Sequence, residues 1–98
     1  MTWNVVVFDK PEEGRKYQEW VSREDCKDGF VLNVDRPQSI EDYPKLHSAK
    51  CPFISNGEKN YVSKRYYKVC SLDRNELERW SLESVDGPRK APTPCTCL

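Results

Sequence analysis

The chain has a single histidine, which lies four residues before a cysteine in Leu46-His47-Ser48-Ala49-Lys50-Cys51. Cys70 follows, and the segment Pro94-Cys95-Thr96-Cys97-Leu98 carries two more cysteines. Nitrogen and sulfur ligands converging from separate segments make a tetrahedral zinc site. Such a site would tie three distant segments to one point. In a chain of 98 residues, which buries only a limited core, that is a strong constraint on the fold.

The length fits one domain, residues 1–98, with 86–98 read as an extended tail. The fifth cysteine, Cys26, lies far upstream in an acidic region and reads as a core thiol. The sequence opens Met1-Thr2-Trp3-Asn4, without the basic start and apolar run of a secretory leader, and no stretch approaches transmembrane length. The expectation is a cytoplasmic protein without a membrane partner. In a reducing compartment, cysteines serve as core thiols, metal ligands or reactive groups rather than disulfides.

Formal charge is zero, yet the distribution is uneven. Residues 1–44 are net acidic, whereas 45–70 hold six basic residues against one acidic residue. That basic stretch contains His47, Cys51 and Cys70, and nearby cations favour thiolates. Its Lys45, Lys50, Lys64, Arg65 and Lys68 are interleaved with Phe53, Tyr61, Tyr66 and Tyr67. Cations with exposed aromatics can grip phosphates and stack bases, so these five residues are candidates for nucleic-acid contact. The competing reading is a solvated charged face, with the aromatics filling the core side of a sheet.

Trp3 to Phe8 is β-branched and aromatic and reads as a strand. Pro11 suits the first turn of a helix, and Tyr17, Trp20 and Val21 form an apolar stripe on it. Phe30, Leu32 and Val34 alternate with Val31 and Asn33 in a second strand over 29–34. A short helix is conceivable around Ile40 to Tyr43, limited by Pro44. Residues 45–49 form a third strand that turns at Ala49-Lys50, and 66–70 a fourth, with the Asn56-Gly57 turn signal between them. Asp73-Arg74-Asn75-Glu76 matches a capping box opening a helix to Ser84 or Val85, with Leu77, Trp80 and Val85 sharing most of one face. The expected class is α+β: a three- to four-stranded, mostly antiparallel sheet packed on two helices as one pair of layers, with Trp20, Phe30, Leu32, Leu77 and Trp80 in the core.

On a straight strand, His47 and Cys51 would lie about 13 Å apart, too far for one ion. A turn at Ala49-Lys50 brings them together, and Cys70 at the end of the next strand is the expected third ligand. Neighbouring side chains in an extended Cys-x-Cys point opposite ways, so one of Cys95 and Cys97 is expected to ligate more readily than both. The candidate metal set is therefore His47, Cys51, Cys70, Cys95 and Cys97, with zinc as the ion.

The run Asp28-Gly29-Phe30-Val31-Leu32-Asn33, then Leu46 to Cys51, then Tyr67-Lys68-Val69-Cys70, a helix and a terminal cysteine pair resembles a small bacterial domain family of uncharacterised function over about residues 20–98. More distantly it is similar to metal-binding modules of DNA-repair regulators and some nucleases. Those use a later Cys-x-x-Cys where this chain has Cys95-Thr96-Cys97. The resemblance implies zinc, with nucleic acid or a DNA-associated protein as partner. Two other readings stand beside a non-enzymatic binding module. One is a metal-free protein-interaction adaptor. The other is a thiol-based enzyme or redox protein using His47 with Cys51 or Cys70. No phosphate loop, nucleophile elbow or paired-carboxylate motif accompanies that dyad.

Overall fold

The computed structural model describes residues 4–39, 41–54 and 61–98. The Asn56-Gly57 turn, Trp3 and Ile40 lie outside them. Strand β1 (Val6–Phe8) leads through a turn of 3-10 helix at Pro11–Glu13 into helix α1 (Gly14–Ser22). Then come β2 (Phe30–Asp35), β3 (Lys45–Ser48), β4 (Tyr66–Ser71), helix α2 (Arg74–Glu83) and the two-residue β5 (Thr93–Pro94). The α+β class with two helices holds. The sheet is larger than expected, with five strands in the order β1-β4-β2-β3-β5. It is also mixed, because β5 runs parallel to β3 while the other pairs are antiparallel.

Alternation along the strands sends side chains to two faces, and both are covered. Phe8, Cys70 and Val31 face α1, where they pack with Tyr17, Trp20 and Val21. Val69, Leu32, Leu46 and Val34 face α2, against Leu77 and Trp80. The molecule is therefore three layers, helix–sheet–helix, rather than the single pair of layers expected. A sheet covered on both faces needs apolar residues at consecutive positions, which explains Phe30-Val31-Leu32 in β2. Trp20, Leu32, Leu77 and Trp80 are buried as expected, whereas Phe30 is only partly buried at the margin of the α2 side.

The helix starts and ends depart from expectation in detail. The Asp73 side chain accepts a hydrogen bond from the Asn75 amide at 2.9 Å and caps α2. The Asp73 amide, which a capping-box Glu76 would bind, instead donates to Ser71 Oγ at 3.0 Å. Cap and box therefore separate, because the preceding strand end supplies the acceptor. Helix α2 stops at Glu83, and Val85 lies beyond it at 79% exposure rather than on the buried stripe. Residues 41–43 contain a turn and no helix.

Gly29 is the tightest backbone approach. A Cβ there would meet Ser71 O and Trp20 Cη2 at 2.9 Å and Cys26 O at 3.0 Å. Its carbonyl accepts the Ala49 amide at 3.0 Å, so the entry to β2 also fixes the turn after β3. No helix among the described residues is long and apolar enough to cross a membrane.

Candidate metal centre

Four backbone devices build the centre. Register places His47 of β3 opposite Val31 of β2, on the face turned toward α1. A turn closed by the Cys51 amide donating to Ser48 O at 3.0 Å then returns the chain, with its corner at Ala49-Lys50 as expected from sequence. On the other side of β3, the Thr93 amide donates to Pro44 O and the Cys95 amide to Leu46 O, at 2.9 and 2.8 Å. This parallel pairing brings Cys95 alongside His47. A final turn, with the Leu98 amide donating to Cys95 O at 3.1 Å, folds Cys97 back toward the same point.

The outcome is that ligand atoms of His47, Cys51, Cys95 and Cys97 all lie within 4.8 Å of one another. The Sγ atoms of Cys51 and Cys95 are 4.0 Å apart. Tetrahedral zinc with Zn–S bonds of about 2.3 Å holds its sulfurs about 3.8 Å apart, so Cys51 and Cys95 already stand near that spacing, and the widest separations of the group would contract by about 1 Å around one ion. His47 is buried, and neither Nδ1 nor Nε2 has a hydrogen-bond partner. A buried imidazole with both nitrogens unsatisfied is costly, and a coordinate bond to one of them removes part of that cost. None of the five cysteines is in a disulfide.

The electrostatics suit a neutral imidazole and ease ionisation at Cys95, while Cys51 gives up its proton only to a bound cation. Burial, with the Lys68 and Lys45 cations adding to it, pushes the His47 imidazole down to about 4, leaving it neutral and ready to ligate. Burial and the Cys97 side chain push the Cys51 thiol up to about 12. Burial also acts to raise Cys95, but hydrogen bonds involving the Cys97 backbone and side chain, Cys51 and Thr96 bring it below its ordinary value. The Ser48 amide donates to Cys97 Sγ at 3.4 Å, a contact that favours sulfur carrying negative charge. A divalent ion with three thiolates and one imidazole carries net negative charge, which Lys68 and Lys45 are placed to offset.

Cys70 is not part of the group. It occupies the same face and the same cross-strand row as His47, but Val31 of β2 stands between them. Two strand spacings separate Cys70 from β3, about 9–10 Å. The expectation failed because β3 and β4, consecutive in sequence, are not neighbours in the sheet. Cys70 is instead a core thiol with Tyr17 and Phe8, and burial pushes its pKa up, opposite to what an attacking thiolate needs. Cys26 is likewise a buried core thiol. The second departure is that both Cys95 and Cys97 join the group. They turn at Thr96-Cys97 rather than staying extended.

The five basic candidates separate. Lys68 is only 2% exposed and lies under the sheet's α1 face, its Nζ donating to Asn33 Oδ1 at 2.8 Å and Tyr61 O at 2.6 Å. That placement is a correction, because a buried lysine lines no surface. Arg65 pairs with the buried Asp35 at 2.9 Å while its guanidinium lies 5.4 Å from the Tyr66 ring centre. Lys50 pairs with Asp28 at 3.0 Å. The Lys45 and Lys64 ammonium groups have no ion-pair or hydrogen-bond partner among the described residues. Tyr43 and Thr96, which the sequence reading did not assign to a site, lie around a cavity beside the centre together with Phe53, one of the aromatics interleaved with the basic residues. Phe53, at 69% exposure, is the signal that could have found it. No family model matches the chain, and comparison with curated proteins and with solved structures gives no match either.

Proposed function

We propose that this chain is a small non-enzymatic binding module stabilised by one zinc ion held by His47, Cys51, Cys95 and Cys97. The observation that carries the reading is the buried His47, both nitrogens unsatisfied, within 4.8 Å of three thiols. Four protein ligands fill a tetrahedral ion and leave no place for a reactive water, so the role is structural. The ligands come from two turns separated by more than forty residues of chain, so coordination closes a long loop. The test is elemental analysis of purified protein, with thiols counted before and after chelation. One zinc per chain, with three thiols newly reactive and stability lost on chelation, supports the reading. Metal-free protein that folds equally well with chelator, and ignores added zinc, returns the chain to a metal-free adaptor.

The partner we propose is nucleic acid or a DNA-associated protein. Support comes from the ammonium groups of Lys45 and Lys64, unpaired among the described residues, and from the exposed ring of Phe53, all in the basic stretch. Binding to single- and double-stranded oligonucleotides at two salt concentrations tests it, because phosphate contacts require affinity to fall steeply with salt.

A further inference from the structure

Next to the metal centre is a cavity of about 330 Å³ whose wall includes Tyr43, Lys45, Phe53 and Thr96. His47 and Cys95 reach the same cavity, so the two turns that hold the ion also shape it. Phe53 follows Cys51 by two residues and belongs to the turn in which the Ile54 amide donates to Cys51 O at 3.1 Å. That turn presents the phenyl ring to solvent at 69% exposure instead of folding it into the core with its neighbour Ile54. The Lys45 ammonium beside it is unpaired among the described residues. From the cavity the aromatic surface continues outward: the Tyr43 ring lies 5.8 Å from Tyr66, and the Arg65 guanidinium lies 5.4 Å from Tyr66 in turn. Lys64, adjacent in the chain, is exposed.

The cavity thus has two rings and one ammonium on its wall, and a further ring, Tyr66, lies next to Tyr43. The cavity is at the small end for ligand sites and suits one planar group with its sugar, not a folded segment. The planar group finds Phe53 and Tyr43, and an attached anion finds Lys45. Beyond it, a second ring could reach Tyr66, two residues along the chain from the exposed Lys64. A repeating ligand with one ring and one negative charge per unit matches this arrangement. We propose that Phe53, Tyr43 and Lys45 form a nucleotide-binding pocket for single-stranded nucleic acid, with Tyr66 and Lys64 carrying the strand outward. The proposal rests on the nucleic-acid reading above and gives it a location. A duplex does not fit it, because a paired base keeps its faces stacked and cannot offer them to Phe53.

The experiment uses zinc-loaded, isotope-labelled protein titrated with an eight-residue oligothymidylate, with thymidine monophosphate and inorganic phosphate as parallel arms. Expected are amide shifts at Tyr43, Lys45, Phe53 and Thr96, and tighter binding of the oligomer than of the monophosphate. Phe53→Ala, a change at an exposed ring that leaves folding intact, weakens oligomer binding roughly 5- to 150-fold, the effect of losing one stacked base. Lys45→Gln lowers the salt dependence by about one phosphate contact. Zinc content is measured on every sample, so a loss of the ion is seen separately from a loss of binding. If the oligomer binds but the shifts cluster elsewhere, or Phe53→Ala binds as the parent does, the pocket is overturned while nucleic-acid binding survives. Absence of binding at low salt overturns both, and binding of an acidic, aromatic-bearing peptide in place of the oligomer assigns the pocket to a protein partner.

Discussion

Replacing Lys68 by methionine should change how stability depends on pH more than it changes stability at neutrality. The Lys68 side chain is 2% exposed and its ammonium donates to Asn33 Oδ1 and Tyr61 O. Burial depresses its pKa from 10.5 to about 8. The folded chain therefore gives up this proton before the unfolded chain does. Between about pH 8 and pH 10.5 the unfolded state binds more protons, so stability rises with pH across that window. Below about pH 8 the cost of the buried charge is present in full. At about 1.4 kcal/mol per pH unit the window is worth about 3 kcal/mol. Lys68→Met removes that cost but takes the ammonium donor away from the buried Asn33 Oδ1, at about 1–3 kcal/mol, and from the part-buried Tyr61 O. The two effects oppose each other near pH 7, so the net change there is small or moderately destabilising. The pH slope is the clean signal. Urea unfolding followed by tryptophan fluorescence, on parent and variant in parallel from about pH 7 to about pH 10, should show the parent gaining about 3 kcal/mol over the variant. Parallel curves across that range would refute the account of Lys68 as a desolvated cation.

Three further outcomes follow. Cys70→Ala should keep one zinc per chain and lose about 1–2 kcal/mol of stability as a core cavity, whereas Cys51→Ala should lose the ion, with zinc content and melting temperature read on both. Trp80→Ala should cost about 3–5 kcal/mol in urea unfolding, since Trp80 is buried against the α2 face of the sheet, while Val85→Ser should stay within about 0.5 kcal/mol. Gly29→Ala should destabilise by about 1–3 kcal/mol, because its Cβ meets two backbone oxygens as well as the Trp20 ring, and equal unfolding midpoints would contradict that packing.

What was legible in the sequence is what leaves a local period. The α1 stripe of Tyr17, Trp20 and Val21 is buried as read, and Phe30, Leu32 and Val34 share one face of β2 as read, although the opposite face with Val31 is buried too. The turn after His47 was legible too, because a straight strand cannot bring His47 to Cys51. Strand order leaves no such trace. Nothing in the chain says that β2 enters between β3 and β4, and that insertion moves Cys70 away from the histidine it was grouped with. The fifth strand was hidden for another reason. Thr93 and Pro94 are too short a run to show alternation, and Pro92 and Pro94 argue for extended backbone without saying what it pairs with. The burial of Lys68 was open to inference, since it shares a strand face with Cys70, but charge outweighed alternation in reading that position.

The central claim is the identity of the four ligands, and X-ray absorption at the zinc edge tests it most directly on purified protein. The account predicts one ion per chain with three sulfurs at about 2.3 Å and one imidazole nitrogen at about 2.0–2.1 Å, unchanged in Cys70→Ala. Fewer than three sulfurs, an oxygen shell in place of the imidazole, or a zinc-free protein that melts at the same temperature with and without added ion would contradict it.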